Sequence, residues 1–183
     1  MKVLFLDNDG VICLSNNWGG RDKKRINFLK NNPEFSEKTG KIPVHFIFDD
    51  FDKKAVKVLN EIIEETDCEI VVSSDWRLHA NLEELREYYT DQGIIKPPIA
   101  TTGRMEFFDP EGYDLYTWKG WLAGIRCTEI REWLKLNEGV EKWCAVDDLN
   151  MGREGLENFV LTPSSREGIK KTGAKEKIIN FLR

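Results

Sequence analysis

Short apolar segments alternate with amphipathic helical segments along this 183-residue chain. The apolar segments are followed by turn-forming residues, which is typical of buried strands. A chain that alternates strand and helix in this way forms a largely parallel sheet with helices on both faces. We therefore predict a three-layer α/β/α Rossmann-like fold. The predicted strands are Val3–Leu6, Cys68–Ser73, Pro97–Gly103, Lys142–Val146 and Asn158–Thr162, and the predicted helices are Asp52–Thr66, Asn81–Gln92, Thr128–Lys135 and Lys175–Leu182.

One segment near the start interrupts the alternation. Residues 13–50 are polar and weakly periodic, and we interpret them as a small cap-like insertion in a single domain that spans residues 1–183. Val44–Phe48 is expected to form a short strand inside the insertion, and the basic cluster Arg21–Arg25 is expected to be a solvated face. A second irregular stretch follows the third strand. Its aromatic side chains either line a cleft or pack in the protein interior, and packing is expected. These are Tyr116, Trp118 and Trp121.

The overall charge and the apolar content limit the classes of partner. The formal net charge is −5, so no broad attraction to nucleic acid or to anionic membranes is expected. No apolar run approaches the ~18 residues of a membrane span, and the first residues do not resemble a signal peptide. The four cysteines form no C-x-x-C pair, which favours a reduced compartment without structural zinc. We therefore expect a cytoplasmic protein with no membrane partner.

Polar residues directly follow three of the predicted strands. Asp7 and Asp9 come after the first strand, Ser73 and Ser74 stand at the end of the second, and Asp147 and Asp148 come after the fourth. Because parallel strands end at the same edge of a sheet, and ligands bind at that edge, these residues are expected to form one site.

Four carboxylates at one site repel each other and would take up protons unless a cation neutralised them. A set of oxygen ligands without His or Cys favours a hard divalent cation, most simply Mg²⁺. Mg²⁺ commonly shares its coordination shell with phosphate oxygens, so a phosphorylated substrate is expected. Serine hydroxyls and the backbone amides of the turns, at Asn8 and Gly10 among others, supply donors to phosphate.

The Asp7-Asn8-Asp9-Gly10 turn supplies two carboxylates with separate tasks. A carboxylate in line with phosphorus can act as a nucleophile and form an aspartyl-phosphate. The second can protonate the leaving oxygen and later activate water. The pattern alone is weak because Asp and Gly are ordinary turn residues, and its order relative to the Ser73 and Asp147 strand ends carries the inference.

These motifs together resemble the haloacid dehalogenase (HAD) superfamily of phosphohydrolases. Its first motif is matched by Asp7–Val11, its second by Ile70–Ser73 and its fourth by Ala145–Asp148. Within the superfamily, the segments Ser73–Arg77 and Arg126–Leu134 are similar to the small HAD domains of Swiss-army-knife RNA-repair-type proteins. The resemblance spans nearly the whole chain.

The resemblance implies a role for each matched residue. Asp7 would be the nucleophile and a metal ligand, Asp9 the general acid/base and a metal ligand through its backbone carbonyl, and Ser73 would hold the transferring phosphoryl group. Asp147, Asp148 or both would complete the metal shell. The family's basic residue is assigned to Arg126, with Lys119 and Lys142 as rivals.

Four other side chains are candidates for either a functional or a structural role. Arg77 and Trp76 either contact substrate or support the fold, and His45 and His79 are expected to be non-catalytic. Because the insertion is modest, we expect an open cleft that accepts a phosphate on a nucleotide or a nucleic-acid end. Residues Arg21–Arg25 could then contact backbone phosphates. The alternatives are a non-enzymatic, receiver-like phospho-signalling module and a catalytically inactive binding module.

Overall fold

The computed structural model describes residues 1–35, 42–104 and 115–183, with side chains in the last range described from residue 119 onward. Within these ranges five strands form one sheet, every neighbouring pair is parallel, and the order is β3-β2-β1-β4-β5. The predicted α/β fold with a parallel central sheet is confirmed. The strands are β1 (Lys2–Leu6), β2 (Glu69–Val72), β3 (Ala100–Thr101), β4 (Lys142–Asp147) and β5 (Phe159–Leu161).

The described helices connect these strands. They are α1 (Gly20–Asn31), α2 (Lys53–Thr66), α3 (Leu82–Asp91), α4 (Leu115–Leu136) and α5 (Ala174–Leu182). Two predicted helix starts are confirmed by their caps, since the Asp52 carboxylate accepts from the backbone of Lys54 and Ala55, and Asn81 forms a capping box with Glu84.

Helix α4 is longer than predicted, because it begins at Leu115 rather than at Thr128. The stretch expected to be irregular therefore belongs to this helix. Gly120 and Gly124 weaken its helical pattern in the sequence, and packing against the sheet overrides their low propensity. Trp121 is partly buried there, whereas the side chains of Tyr116 and Trp118 lie outside the described part of the chain.

The sheet buries apolar side chains on both faces, and β1 shows this most clearly. Leu4 and Leu6 belong to one core cluster with side chains of α2, α3 and α5, whereas Val3 and Phe5 belong to the other with side chains of α4. All four are fully buried. Burial of such a side chain contributes about 1.5–3 kcal/mol, so a strand that is apolar on both faces is held firmly between the two helix layers.

The strand order reverses direction at β1. The chain moves from β1 outward through β2 to β3, and then returns through α4 to place β4 on the other side of β1. The carboxyl ends of β1 and β4 therefore flank a topological switch point, where a crevice forms in folds of this type.

The segment between β1 and α2 contains α1, and its predicted strand Val44–Phe48 is wrong. Val44–Phe46 instead forms a 3-10 turn, in which the backbone N–H of Ile47 donates to the Val44 carbonyl at 3.0 Å. The buried side chains Val44 and Phe48 lie four positions apart, which suits a helical turn rather than a strand that alternates its faces.

Helix α1 buries none of its own residues and is held at its start by an acidic side chain from outside the helix. The Asp49 carboxylate accepts from the backbone N–H of Gly19 at 3.1 Å and of Arg21 at 2.6 Å. A carboxylate at a helix N-terminus satisfies unpaired donors and complements the helix dipole. Asp49 thus fixes the start of α1 against the body of the domain.

The four cysteines are buried and free of disulfides. Burial raises the pKa of Cys13, Cys68, Cys127 and Cys144, as expected of small apolar core residues. None of the helices in the described part of the chain combines the length and the apolar composition that a bilayer crossing requires.

Candidate active site

Strand register brings the predicted strand-end residues together. Leu6 pairs with Val72 on one side and with Val146 on the other, so the next residue of each strand lies at the same level of the sheet. The backbone N–H of Asp7 donates to the Val146 carbonyl at 3.1 Å, and that of Ser73 donates to the Leu6 carbonyl at 2.9 Å. Asp7, Ser73 and Asp147 are therefore adjacent at the crevice.

Three carboxylates form a cluster at this edge. Oxygen atoms of Asp7, Asp147 and Asp148 all lie within 4.8 Å of one another. Asp7 is 6% exposed and Asp147 is fully buried, while Asp148 is partly open to solvent. The sequence predicted Asp9 as a fourth member, but its carboxylate is not part of this cluster.

Gly10 makes the close approach of Asp148 possible. Its φ of +75° lies in the left-handed region, and a Cβ at this position would come within 3.0 Å of the Asp148 carboxylate. Gly is therefore required here by space as well as by φ, because a larger residue would displace Asp148. The backbone N–H of Gly10 donates to the Cys13 carbonyl at 2.9 Å, so this amide is engaged within the loop rather than free for the predicted phosphate contact.

Burial dominates the electrostatics of the cluster. It raises the pKa of Asp7 well above its usual value, and repulsion from Asp147 adds to the effect. Burial also raises the pKa of Asp147 to about 7, against the opposing effects of Arg126 and the Leu149 N–H, which donates to its Oδ1 at 2.8 Å. The pKa of Asp148 is raised by burial too. Such carboxylates are stabilised in their charged form by a bound cation.

Arg126 supplies positive charge at the centre of the site. Its Nη1 lies 3.1 Å from Asp7 Oδ1 and 3.2 Å from Asp147 Oδ2, and it also donates to the Ser73 carbonyl. Nη2 donates to Asp75 Oδ1 at 3.0 Å. Burial alone would lower the pKa of Arg126, but the carboxylates of Asp147, Asp7 and Asp75 outweigh it and raise the pKa.

The two rival basic residues lie elsewhere. Lys142 is exposed at the start of β4, the end of the strand opposite to Asp147. Lys119 is exposed near the start of α4, and its charge acts on Asp148 by lowering the pKa of that carboxyl. Of the three candidates in the described residues, Arg126 is the one whose charged group contacts Asp7.

Ser73 and Ser74 are buried at the end of β2. The Ser73 hydroxyl has no hydrogen-bond partner among the described residues, although it is shielded from solvent. A buried hydroxyl without a partner is costly unless a ligand completes it. The Ser74 carbonyl accepts from Arg77 Nη1 at 2.7 Å and so fixes the turn that follows.

Two predicted substrate-binding side chains are directed into the protein. Asn8 is fully buried and its Oδ1 accepts from the Tyr89 hydroxyl, which leaves its backbone amide for the predicted phosphate contact. Arg77 Nη2 donates to Glu129 at 2.5 Å in a buried ion pair. Of the two roles left open for Arg77, these contacts favour support of the fold, because its guanidinium joins the β2 turn to α4.

Asp9 lies on an exposed part of the loop, two residues beyond Asp7. The protein atoms that crowd its carboxylate raise its pKa, while the hydrogen bond from Trp76 Nε1 to Asp9 Oδ2, 2.8 Å long, opposes this shift. Asp9 therefore has its own environment, separate from the buried cluster.

The sequence interpretation missed Asp75 and Glu129, which hold the two arginines. Asp75 binds Arg126, and Glu129 binds Arg77. No local pattern in the sequence signals these pairs, because the three-residue spacing of Arg126 and Glu129 on α4 would suggest a pair between those two, whereas Glu129 binds Arg77 and Asp75 binds Arg126.

A cleft of about 640 Å³ opens beside Asp9. Aromatic side chains form one part of its wall and α1 contributes charged residues to another. Its lining includes Trp76, Phe46, Phe48, His79, Arg21 and Arg25. The second histidine, His45, lies away from this cleft, where its Nε2 is 3.2 Å from Asp91 at the surface of α3.

The donor set fits Mg²⁺. Asp7, Asp147 and Asp148 present carboxylate oxygens at mutual distances that one ion can bridge, and the described cluster contains no nitrogen or sulfur ligand. When all three carboxylates are ionised, the single guanidinium of Arg126 leaves part of their charge unbalanced.

The chain was compared with known proteins at the level of families, sequences and structures. No curated protein and no solved structure gives a significant match. The family model described as the HAD domain in Swiss Army Knife RNA repair proteins matches residues 3–174, which include the site residues above and the five strands except Lys2. The chain therefore belongs to this family of HAD domains.

Proposed function

We propose that the protein is a Mg²⁺-dependent phosphomonoester hydrolase that acts through an aspartyl-phosphate on Asp7. Membership of the HAD family supports a phosphohydrolase-type function in general. The observation that carries the finer proposal is the contact of Arg126 with both Asp7 and Asp147 beside a third carboxylate, Asp148. The proposed charge stabiliser, Arg126, is thus in contact with the proposed nucleophile, Asp7, and with a proposed metal ligand, Asp147.

In the first half-reaction, a carboxylate oxygen of Asp7 attacks phosphorus. A bond forms between this oxygen and phosphorus, and the bond from phosphorus to the leaving oxygen breaks. Asp9, in its protonated form, gives its proton to the leaving oxygen. The raised pKa of Asp9 favours the acid that this step needs.

In the second half-reaction, Asp9 takes a proton from water as the water oxygen bonds to phosphorus. The bond between phosphorus and Asp7 breaks, inorganic phosphate leaves, and the Asp7 carboxylate is restored. Asp9 ends protonated, as it began, so the cycle is balanced.

Charge on the transferring phosphoryl group is stabilised by Arg126 and by hydrogen-bond donors at the strand ends. The unpartnered Ser73 hydroxyl is the proposed contact from β2, and the Asn8 backbone amide is the proposed contact from the β1 loop. Mg²⁺ held by Asp7, Asp147 and Asp148, and by the backbone carbonyl of Asp9, would supply charge neutralisation and orient the phosphate.

For the substrate, we propose a nucleotide or a nucleic-acid end. The cleft beside Asp9 combines aromatic surfaces that suit a base, such as Phe46 and Trp76, with the arginines Arg21 and Arg25. The leaving group of the reaction lies on the Asp9 side, so the cleft would receive the nucleoside portion. Because the formal net charge of the chain is −5, attraction to phosphates would have to come from a local basic region, and Arg21 and Arg25 form such a region at the cleft.

A receiver-like signalling module is the second candidate, because it also uses clustered aspartates and Mg²⁺. A receiver takes its phosphoryl group on a lone aspartate after a later strand, whereas β2 is followed by Ser73 and Ser74. This observation favours the hydrolase. A catalytically inactive binding module predicts phosphate binding without turnover.

The proposal is tested by Mg²⁺-dependent phosphate release from p-nitrophenyl phosphate, nucleotides, 3′- and 5′-phosphorylated oligonucleotides and phosphopeptides. We expect turnover that Asp7→Asn abolishes, with the phosphorylated oligonucleotides or nucleotides as the preferred class. Asp67→Asn is the matched control, because Asp67 is an exposed helix-capping residue whose left-handed φ of 55° suits Asn. Wild-type protein that binds phosphate but releases none would favour the inactive module.

A further inference from the structure

Trp76 makes a direct contact with the loop that carries the predicted acid/base. Its indole Nε1–H donates to Asp9 Oδ2 at 2.8 Å, although the two residues are far apart in the chain. The Trp76 side chain is otherwise buried, with 4% of the residue exposed. An indole has a single donor, and here it is directed at Asp9.

The indole ring is fixed by aromatic neighbours. It stacks on Phe48 with a centroid distance of 4.0 Å and an interplanar angle of 3°, and Phe51 lies on it at 5.4 Å and 23°. Tyr88 meets it edge-on at 5.7 Å. A ring packed in this way has little freedom to rotate, so the direction of its N–H is set by the core.

The turn that carries Trp76 is fixed on both sides of it. Asp75 is held by Arg126, and Arg77 is held by Glu129 and the Ser74 carbonyl. These ion pairs connect the turn to α4, while the residue between them reaches toward the β1 loop. The turn that positions the indole is therefore joined to Arg126, which also contacts Asp7.

Asp9 has greater need of such support than Asp7. Asp7 is buried against Arg126, whereas Asp9 is exposed at its place in the loop, between the buried residues Asn8 and Gly10. A general acid must hold its proton within hydrogen-bond reach of the leaving oxygen, and small misplacements reduce its contribution strongly.

Given the function proposed above, on which this inference rests, we propose that Trp76 is the positioning residue for the acid–base step. Its N–H occupies Asp9 Oδ2, so the proton of the acid resides on Oδ1. That proton passes to the leaving oxygen as the Asp7–phosphorus bond forms and the bond to the leaving group breaks. Trp76 keeps its own proton throughout and makes no bond to the substrate.

The test uses two substrates that differ in their need for an acid. The p-nitrophenolate ion is a weak base and leaves without a proton, whereas the strongly basic benzyl alkoxide must receive one as it leaves. The substrates p-nitrophenyl phosphate and benzyl phosphate therefore separate the acid step from the rest of catalysis. Trp76→Phe removes the N–H and keeps an aromatic ring. Hydrolysis of the aspartyl-phosphate is common to both substrates and also uses Asp9, so the comparison is made on kcat/KM, which reports the steps up to the first phosphoryl transfer. We expect kcat/KM for benzyl phosphate to fall about tenfold, and kcat/KM for p-nitrophenyl phosphate to fall less than about twofold.

Trp133→Phe is the matched packing control, because Trp133 packs edge-on against Phe5 in the core cluster on the α4 face of the sheet and is not among the aromatic neighbours of Trp76 named above. It is expected to change both rates by the same factor. Benzothienylalanine at position 76 provides a second variant, since sulfur replaces the N–H in a ring of nearly the same shape. In an Asp9→Asn background, Trp76→Phe should cause no further loss with benzyl phosphate.

Equal losses in kcat/KM on the two substrates, or a loss that adds fully to that of Asp9→Asn, would overturn the role of Trp76 while leaving the hydrolase function in place. A wild-type protein that hydrolyses neither substrate, nor any of the phosphorylated nucleotides, oligonucleotides and peptides, would overturn both proposals.

Discussion

The edge of the sheet and the α1 segment are built in different ways. At the edge, strand register places Asp7, Ser73 and Asp147 side by side, and a buried arginine joins them. Helix α1 has no buried residues and depends on Asp49 at its start. The apolar core holds the sheet edge in place, whereas α1 contributes Arg21 and Arg25 to the lining of the cleft beside Asp9. We infer that the sheet edge determines the chemistry and that the α1 segment selects the substrate.

The largest effect is expected from a variant that removes the charge at the sheet edge. Arg126→Met leaves Asp7 and Asp147 buried without their partner, so we expect kcat to fall about 10²- to 10³-fold on every substrate. Arg126→Lys should retain part of the activity, because lysine keeps the positive charge but lacks the two guanidinium nitrogens that bind separate carboxylates.

Lys142→Met is the control for Arg126, since Lys142 lies at the opposite end of β4. It should leave kcat unchanged within about twofold. A comparable loss in Lys142→Met, or full activity in Arg126→Met, would contradict the assignment of the basic residue. Thermal melts of each variant separate lost folding from lost chemistry.

The second prediction concerns pH and Mg²⁺. The folded pKa of Asp147 is raised to about 7 from an ordinary value near 3.8, so between these values the folded state holds a proton that the unfolded state has released. The free energy of unfolding without Mg²⁺ should therefore fall as pH rises through this window. Added Mg²⁺ requires ionised carboxylates, so its stabilising effect should grow over the same range.

This prediction is measured by thermal melts at pH 5 and pH 8, with and without Mg²⁺. Asp147→Asn should reduce both the pH effect and the Mg²⁺ effect. An increase in melting temperature on Mg²⁺ addition that is equal at the two pH values would contradict the proposed ligand set.

A smaller effect is expected at α1. Replacement of Arg21 and Arg25 by Ala should raise KM for a phosphorylated oligonucleotide about three- to tenfold and weaken its dependence on salt, since each contact to a phosphate contributes to affinity. The kcat for p-nitrophenyl phosphate should change less than about twofold. Equal losses on both substrates would show that α1 contributes to the chemistry, and the contrast between the two regions would fail.

The sheet edge could be predicted from the sequence and the α1 segment could not. Asp7, Ser73 and Asp147 each stand at the end of an apolar strand. Because parallel strands end at one edge of the sheet, the sequence alone places these three residues together. Arg126 came from family resemblance, and only the structure shows its contacts with Asp7 and Asp147. The 3-10 turn at Val44–Phe46 was mistaken for a strand because its apolar residues form too short a run to distinguish the two periods.

Contacts between distant side chains were the least predictable part of the site. Trp76 and Arg77 are adjacent in sequence, yet one binds Asp9 and the other binds Glu129. Their directions depend on the turn after β2 and on the packing of α4. Neither can be derived from a local pattern.

The central claim is that Asp7 carries the phosphoryl group during turnover. The most direct measurement is mass analysis of the Asp9→Asn variant, quenched after mixing with p-nitrophenyl phosphate and Mg²⁺, because this substrate needs no acid for departure and the variant lacks the base for hydrolysis. We predict a hydroxylamine-labile phosphoryl group on the peptide that contains Asp7, absent in Asp7→Asn. A phosphoryl group on another residue, or turnover that persists in Asp7→Asn, would contradict the account.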